Sequence, residues 1–138
     1  MKDCNCIFCK IANGEIPSDT IYEDDDFRAI LDLSPAAQGH ALLLPKEHFA
    51  NLFELDDATG AKVMPVAKRI GGAMMRALSC RGLNVVQNNG EAAGQTVMHF
   101  HVHLIPRYEG GEEMVAWTPH KSDPREQQLI AERIRKEL

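Results

Sequence analysis

The sequence has no long apolar run and no excess of positive charge. Its 138 residues carry a net charge of −5. Apolar runs such as Ala41 to Leu44 are far shorter than the roughly 20 residues that a membrane-spanning helix needs. The amino terminus has no apolar leader, so we expect a cytoplasmic protein without a membrane partner. Because nucleic-acid-binding proteins usually present a basic face, the acidic balance also predicts no nucleic-acid partner.

Cysteine is scarce as well. The four cysteines are too few and too clustered for a disulfide framework. Two of them form the motif Cys6-Ile7-Phe8-Cys9, which is typical of half a zinc site or of a redox pair. A thioredoxin-like redox motif follows a strand, and no predicted strand precedes Cys6. The motif therefore favours a metal site.

The pattern of apolar and turn-forming residues predicts an α+β fold with a mainly antiparallel sheet, one long helix and a carboxy-terminal helix. We expect a single domain over residues 1–138. Aspartate followed by proline opens the last helix as N-cap and first helical residue. The predicted elements are a short helix over Ile7–Ala12, strands over Thr20–Glu23, Phe27–Leu31 and Ala41–Leu44, a long helix over Asp56–Leu78 that bends at Pro65, strands over Leu83–Gln87 and Val97–Ile105, and a helix from Asp123.

Three of the six histidines, His99, His101 and His103, occupy alternate positions of the last predicted strand. Alternate side chains of a strand share one face, so the three rings should stand in a row roughly 7 Å apart. Three explanations are open: an exposed sheet face, a metal site of the His-x-His kind, or a nucleophilic histidine with two partners. Metal-dependent hydrolases with this motif usually add a carboxylate shortly downstream, whereas the next four residues here are Leu104, Ile105, Pro106 and Arg107.

The loop before the histidines favours the nucleophile. Residues 88–96 supply carboxamides, backbone amides and a hydroxyl immediately ahead of the strand. Gly90 and Gly94 permit a close approach of the backbone to an anion. The position of this loop beside three imidazoles indicates a site for a phosphorylated substrate.

The segment from Gly94 to Ile105, GQTVMHFHVHLI, resembles the signature of the histidine triad family of nucleotide hydrolases and transferases. The resemblance extends to Cys6–Ile11, Ile16-Pro17, Leu31–Pro35, Gly39-His40 and Leu44–Lys46, and it ends near Tyr108. It implies the fold of that family. It also implies attack of the middle histidine, His101, on the α-phosphorus of a nucleotide conjugate, followed by hydrolysis of a nucleotidyl-histidine intermediate.

The resemblance also implies roles for further residues around His101. His103 and His40 would hydrogen-bond phosphate oxygens, as would Gln95 and Thr96 from the glycine loop that includes Gly94. Asn88 would position the phosphate or the leaving group, and Asp32 would accept hydrogen bonds from the ribose hydroxyls. The base, from an AMP- or GMP-containing substrate, would lie among five apolar side chains, namely Ile7, Phe8, Ile11, Ile30 and Leu33.

Within the family, the cysteine pair resembles the bacterial branch that binds zinc. The resemblance implies a structural zinc ion with four ligands: Cys6, Cys9, His48 and His99. Such a closed set leaves no position for substrate, so we expect no cofactor in the chemistry itself. The resemblance also implies a homodimer.

Two alternatives stay open at this point. One is a nucleotide-binding interaction module with little turnover. The other is a metal-dependent hydrolase in which all three histidines of the row bind the ion.

Overall fold

The computed structural model describes residues 2–111 and 118–138. Its elements are α1 (Ile7–Ala12), β1 (Thr20–Glu23), β2 (Phe27–Leu31), β3 (Ala41–Pro45), α2 (Asp57–Leu78), β4 (Gly82–Val86), a 3₁₀ turn (Glu91–Ala93), β5 (Val102–Arg107) and α3 (Pro124–Arg135). The five strands form one sheet in the order β1-β2-β3-β5-β4, and every neighbouring pair is antiparallel. The predicted α+β class is confirmed.

The helices begin where the sequence places their caps. The Asp56 carboxylate accepts a hydrogen bond from the backbone N–H of Thr59 at 2.9 Å, and α2 then runs through Pro65 as one helix of 22 residues. Asp123 caps α3 in the same way. Capping carboxylates satisfy N–H groups that have no partner in the first helical turn.

Strand β3 lies at the centre of the sheet and is buried on both faces. Ala41 and Leu43 face α2 and belong to the main core with residues such as Phe27 and Ile70. Leu42 and Leu44 point the other way, into a smaller cluster under α1. Because residues directly opposite each other share a face, His103, which pairs with Leu42, also lies on the α1 side.

The last strand begins later than predicted. It starts at Val102, so His99 and His101 precede it and only His103 lies within it. Pro45, at the end of β3, has no backbone N–H, so the backbone hydrogen bonds between β3 and β5 cannot continue past it. Instead, the Pro45 carbonyl receives the His99 ring at 2.9 Å, and Phe100 N–H bonds the Phe49 carbonyl.

Within residues 2–111 and 118–138, no helix has the length and apolar character needed to cross a membrane.

Candidate functional site

The four residues with the predicted zinc-binding role lie together. Cys6 caps α1 and Cys9 lies in its first turn, while His48 follows β3 and His99 precedes β5. Cysteine sulfur and histidine Nδ1 are 3.5 Å apart for Cys6 and His99, 3.4 Å for Cys9 and His48, and 3.5 Å for Cys9 and His99. Tetrahedral zinc with ordinary bond lengths requires a sulfur–nitrogen spacing of about 3.5 Å.

The His99 ring has the protonation that a metal ligand needs. Its Nε2 lies 2.9 Å from the Pro45 carbonyl, which can only accept, so the ring proton is on Nε2 and the Nδ1 lone pair faces both thiols. The side chain is completely buried, and this burial lowers the pKa of His99 to about 4. A ligating histidine whose other nitrogen donates to a carbonyl is the usual arrangement at zinc. The donor set therefore fits a structural zinc ion.

The His101 ring is held in the tautomer that a nucleophile needs. Its Nδ1 lies 2.7 Å from the His99 carbonyl oxygen, so Nδ1 carries the proton and the lone pair is on Nε2. Burial lowers the pKa of His101, which keeps the ring neutral at pH 7. Phe8 of α1 packs edge-on against this ring with centroids 5.1 Å apart, which fixes the ring plane.

His40 and His103 form a second, differently bonded pair. His40 Nε2 lies 2.9 Å from His103 Nδ1 and 3.6 Å from an Asp32 carboxylate oxygen. Burial lowers the pKa of His40, and it lowers the pKa of His103 to about 4. The His103 ring packs against His101 with centroids 4.9 Å apart. His103 therefore lies beside the predicted nucleophile, His40 lies beside His103, and both rings are neutral.

The ligand atoms of Asp32, His40 and His103 lie within 4.8 Å of one another, which is close enough to consider an ion. Two nitrogens on tetrahedral zinc lie about 3.3 Å apart, whereas these two lie at hydrogen-bond distance. A neutral His40 bound through Nε2 would also carry its proton on Nδ1, and Nδ1 already accepts from Ala36 N–H at 3.0 Å. This cluster therefore suits hydrogen bonding better than metal binding.

Gln95 is buried and fully bonded to the protein. Its carboxamide oxygen accepts from Gly90 N–H at 2.8 Å, and its nitrogen donates to the carbonyls of Ala50 at 2.6 Å and Val97 at 3.0 Å. These bonds connect the glycine loop to the segment after β3. The predicted phosphate contact of Gln95 would have to replace one of them.

The glycine loop has a conformation that depends on its glycines. Gly90 and Gly94 have φ angles of +84° and +88°, which side-chain-bearing residues rarely adopt. Thr96 is exposed at the end of this loop, and Asn88 is half-buried at its start. Their predicted contacts with phosphate and with the leaving group stay predictions.

The five residues predicted to contact the base divide into two groups. Phe8 and Ile11 pack on the cluster that contains buried Ile30, so these three lie together under α1. Ile7 is 52% exposed and Leu33 is 93% exposed. Their predicted contact with a base stays a prediction.

Two cavities bear on the location of a substrate. One of about 460 Å³ lies beside the cysteines and is lined by Ile7, Thr96 and Met98 among others. A second, also of about 460 Å³, lies on the α2 side of the sheet and is lined mainly by apolar residues such as Ile70 and Met74. The second cavity contains none of the predicted site residues and no histidine, whereas the first is also lined by Cys6 and His48.

A model of the HIT domain matches residues 13–110, which include the histidine row and the glycine loop. The chain belongs to the HIT domain family. An adenosine 5′-monophosphoramidase of Saccharomyces cerevisiae is 44% identical to this HIT protein, over 88% of the chain and 75% of the relative. The family predicted from the sequence is confirmed.

Solved structures agree with this HIT protein over almost its whole length. A protein of Streptococcus mutans superposes with a TM-score of 0.94 at 42% identity, covering 99% of this chain and 87% of that one. A zinc-bound histidine triad family protein of Mycobacterium smegmatis superposes with a TM-score of 0.74 at 34% identity, covering 96% and 94% of the two chains. The predicted fold is therefore confirmed.

Six backbone groups in this site carry no signal in the sequence. They are the carbonyls of Pro45, His99, Ala50 and Val97 and the N–H groups of Ala36 and Gly90. Every residue has a carbonyl and every residue except proline has an N–H, so only the path of the chain reveals which of these groups meets a ring nitrogen or a carboxamide. The residue types of the site were predictable, whereas their partners were not.

Proposed function

We propose that this HIT protein hydrolyses nucleotide conjugates at the α-phosphate through a covalent intermediate on His101. The observation that carries the proposal is the 2.7 Å bond between His101 Nδ1 and the His99 carbonyl, which leaves the Nε2 lone pair free. A neutral, oriented imidazole is an effective nucleophile near neutral pH. Metal chemistry is not needed for this step.

In the first step, His101 Nε2 forms a bond to the α-phosphorus while the bond to the leaving group breaks. The leaving group departs with that electron pair and takes up a proton, and a nucleotidyl-histidine remains. In the second step, the oxygen of water bonds to phosphorus, the phosphorus–nitrogen bond breaks with its electron pair returning to His101 Nε2, and the mononucleotide is released. One proton of this water stays on the mononucleotide, the other replaces the proton that the leaving group took up, and His101 returns to its neutral form.

Hydrogen-bond donors stabilise the negative charge on the phosphate oxygens in both steps. We assign this role to His103 and Thr96 together with the N–H groups near Gly94, and we assign Asn88 to the leaving-group side. Gln95 acts through its three hydrogen bonds, which hold the loop in place. Its own contact with phosphate is not required.

The nucleoside would bind at the α1 side of the sheet. One Asp32 oxygen accepts from Ser34 N–H at 2.8 Å, and the other is available to ribose hydroxyls. The cluster of Phe8, Ile11 and Ile30 supplies the apolar surface for a purine. The monophosphoramidase activity named for the yeast relative supports an AMP-containing substrate.

A zinc ion at Cys6, Cys9, His48 and His99 would have four protein ligands and no open position. When bound, it supplies structural cross-linking between α1 and the segments before β5 and after β3. The chemistry belongs to His101 and its neighbours. This proposal excludes the alternative in which all three histidines of the row bind one ion.

The experiment is a substrate panel combined with mass detection of modified protein. Adenosine phosphoramidates and dinucleoside polyphosphates are offered to the zinc-loaded protein, and quenched samples are examined by intact-protein and peptide mass spectrometry. We expect AMP release and a mass increase of one adenylyl group on the peptide that contains His101. Micromolar nucleotide binding with turnover near zero on every substrate would instead indicate an interaction module.

The homodimer expected from the family resemblance remains part of the proposal. Sedimentation velocity on the zinc-loaded protein tests it directly.

A further inference from the structure

The ring of His40 receives a backbone donor on one nitrogen. Ala36 N–H donates to His40 Nδ1 at 3.0 Å. A neutral imidazole carries one proton, and a nitrogen that accepts a hydrogen bond cannot hold it. The proton of His40 is therefore on Nε2.

Among the residues that the structure describes, this proton has one acceptor at hydrogen-bond distance. His103 Nδ1 lies 2.9 Å from His40 Nε2, whereas the Asp32 oxygen at 3.6 Å is too far for a direct bond. His40 therefore donates to His103, and His103 must accept on Nδ1. The remaining proton of His103 is then on Nε2, where it can serve as a donor.

Both ring nitrogens of His40 are thus used within the protein, and the side chain is buried. A direct phosphate contact from His40 would break one of these bonds and leave a buried polar atom without its partner, which is costly. The geometry instead favours an indirect role for this ring.

We propose that His40 is a positioning residue: Ala36 N–H and the His40 ring form a relay that fixes His103 with its proton on Nε2, ready to donate to substrate phosphate. The phosphate contact of His103 rests on the proposed function, whereas the relay itself does not. This role replaces the direct phosphate contact that the family resemblance implies for His40.

The loop between β2 and β3 holds the relay in place. Asp32 N–H bonds the His40 carbonyl at 2.8 Å, and the Asp32 side chain bonds Ser34 N–H. Gly39 has a φ of +86°, and a Cβ there would collide with Leu78. This tightly closed loop fixes where Ala36 N–H points.

The test is the ring-nitrogen NMR of the zinc-loaded protein labelled with ¹⁵N, because nitrogen shifts distinguish the two neutral tautomers. We expect both His40 and His103 to carry the proton on Nε2. His103 with its proton on Nδ1, or a charged His40 at pH 7, would overturn the relay.

Variants then separate positioning from general stability. In His40→Ala, we expect His103 to populate both tautomers and kcat to fall roughly 10- to 100-fold while KM changes little. His40→Gln, whose carboxamide can donate to His103, should restore part of both effects. His120→Gln, at an exposed histidine outside the site, should change neither.

An unchanged His103 tautomer in a folded His40→Ala protein would refute the relay. If the tautomers agree with our assignment but no nucleotide conjugate is turned over, the relay stands and the proposed function fails. The two proposals therefore have separate outcomes.

Discussion

The two histidine clusters take neighbouring residues from the same short segment, His99 for one and His101 for the other. These two rings donate hydrogen bonds from different nitrogens. His99 donates from Nε2 to the Pro45 carbonyl and presents its Nδ1 lone pair to two thiols. Two residues later, His101 donates from Nδ1 to the His99 carbonyl and has its lone pair on Nε2. The ring nitrogen that meets a backbone carbonyl thus sets the tautomer, which suits His99 to the proposed metal binding and His101 to the proposed attack on phosphorus.

The spacing of the donor atoms follows the same division. Sulfur and nitrogen atoms in the cysteine cluster are 3.4 to 3.5 Å apart, as they would be around zinc. His40 and His103 are 2.9 Å apart, at the distance of a shared proton. In both clusters the distances between the donor atoms and the tautomers of the rings indicate the same role. We therefore propose metal binding for the cysteine cluster and phosphate chemistry for the cluster of His40, His101 and His103.

A matched pair of alanine variants distinguishes the roles of the two clusters, with the largest expected effect. His101→Ala removes the nucleophile, and we expect turnover of an adenylyl substrate to fall at least about 10³-fold while zinc content and Tm are retained. His99→Ala removes a zinc ligand, so zinc content and Tm should fall together. Steady-state AMP release, metal analysis and thermal unfolding followed by circular dichroism provide the measurements.

Substantial activity in His101→Ala would refute the covalent mechanism. Full zinc content in His99→Ala would refute the assignment of the cysteine cluster.

A second pair tests whether the metal is structural. Cys9→Ser removes a buried ligand, and we expect loss of zinc and a fall in Tm of at least about 10 °C, because zinc binding to the folded state contributes to folding stability. Cys4→Ser changes an exposed cysteine outside the cluster and should leave both values unchanged. In the native protein, a chelator should reduce activity slowly, in step with unfolding.

Immediate loss of turnover on chelation, with the fold intact, would contradict a purely structural ion. It would favour a metal that takes part in the reaction.

The smallest expected effect concerns the glycine loop over residues 88–96. Gln95→Glu places a carboxylate against the carbonyls of Ala50 and Val97, so we expect the free energy of unfolding to drop by about 1–3 kcal/mol. Gln128→Glu makes the same change on the exposed face of α3 and should have almost no effect. Urea unfolding of both variants measures the difference, and equal stabilities would mean that the Gln95 bonds do not hold the loop.

Most elements followed from local sequence patterns, since caps and apolar spacing act within a few residues. The helix over Ile7–Ala12 and the strands over Thr20–Glu23 and Phe27–Leu31 have their predicted bounds. The strand predicted from Val97 was wrong at its start, because its partner strand ends at Pro45 and the ladder cannot continue. Pro45, which limits this strand, lies more than fifty positions before Val97 in the sequence.

The residue types of the site were also predictable, whereas their connections were not. Leu33 and Gln95 illustrate this. Leu33 is almost fully exposed, and the three hydrogen bonds of the Gln95 carboxamide are all to backbone groups. Neither fact can be derived from the neighbouring residues in the sequence. Both depend on where distant segments cross.

Local sequence patterns were enough to predict the family, most of the helices and strands, and the set of histidines and cysteines available for chemistry. The tertiary structure decided which imidazole lies beside the two thiols, which leaves its Nε2 lone pair free and which lies within hydrogen-bond distance of another ring. The physical reason is that a ring nitrogen takes its proton according to the donor or acceptor opposite it. Here those groups are backbone atoms of residues such as Pro45 and Ala36, which only the folded chain brings to the rings.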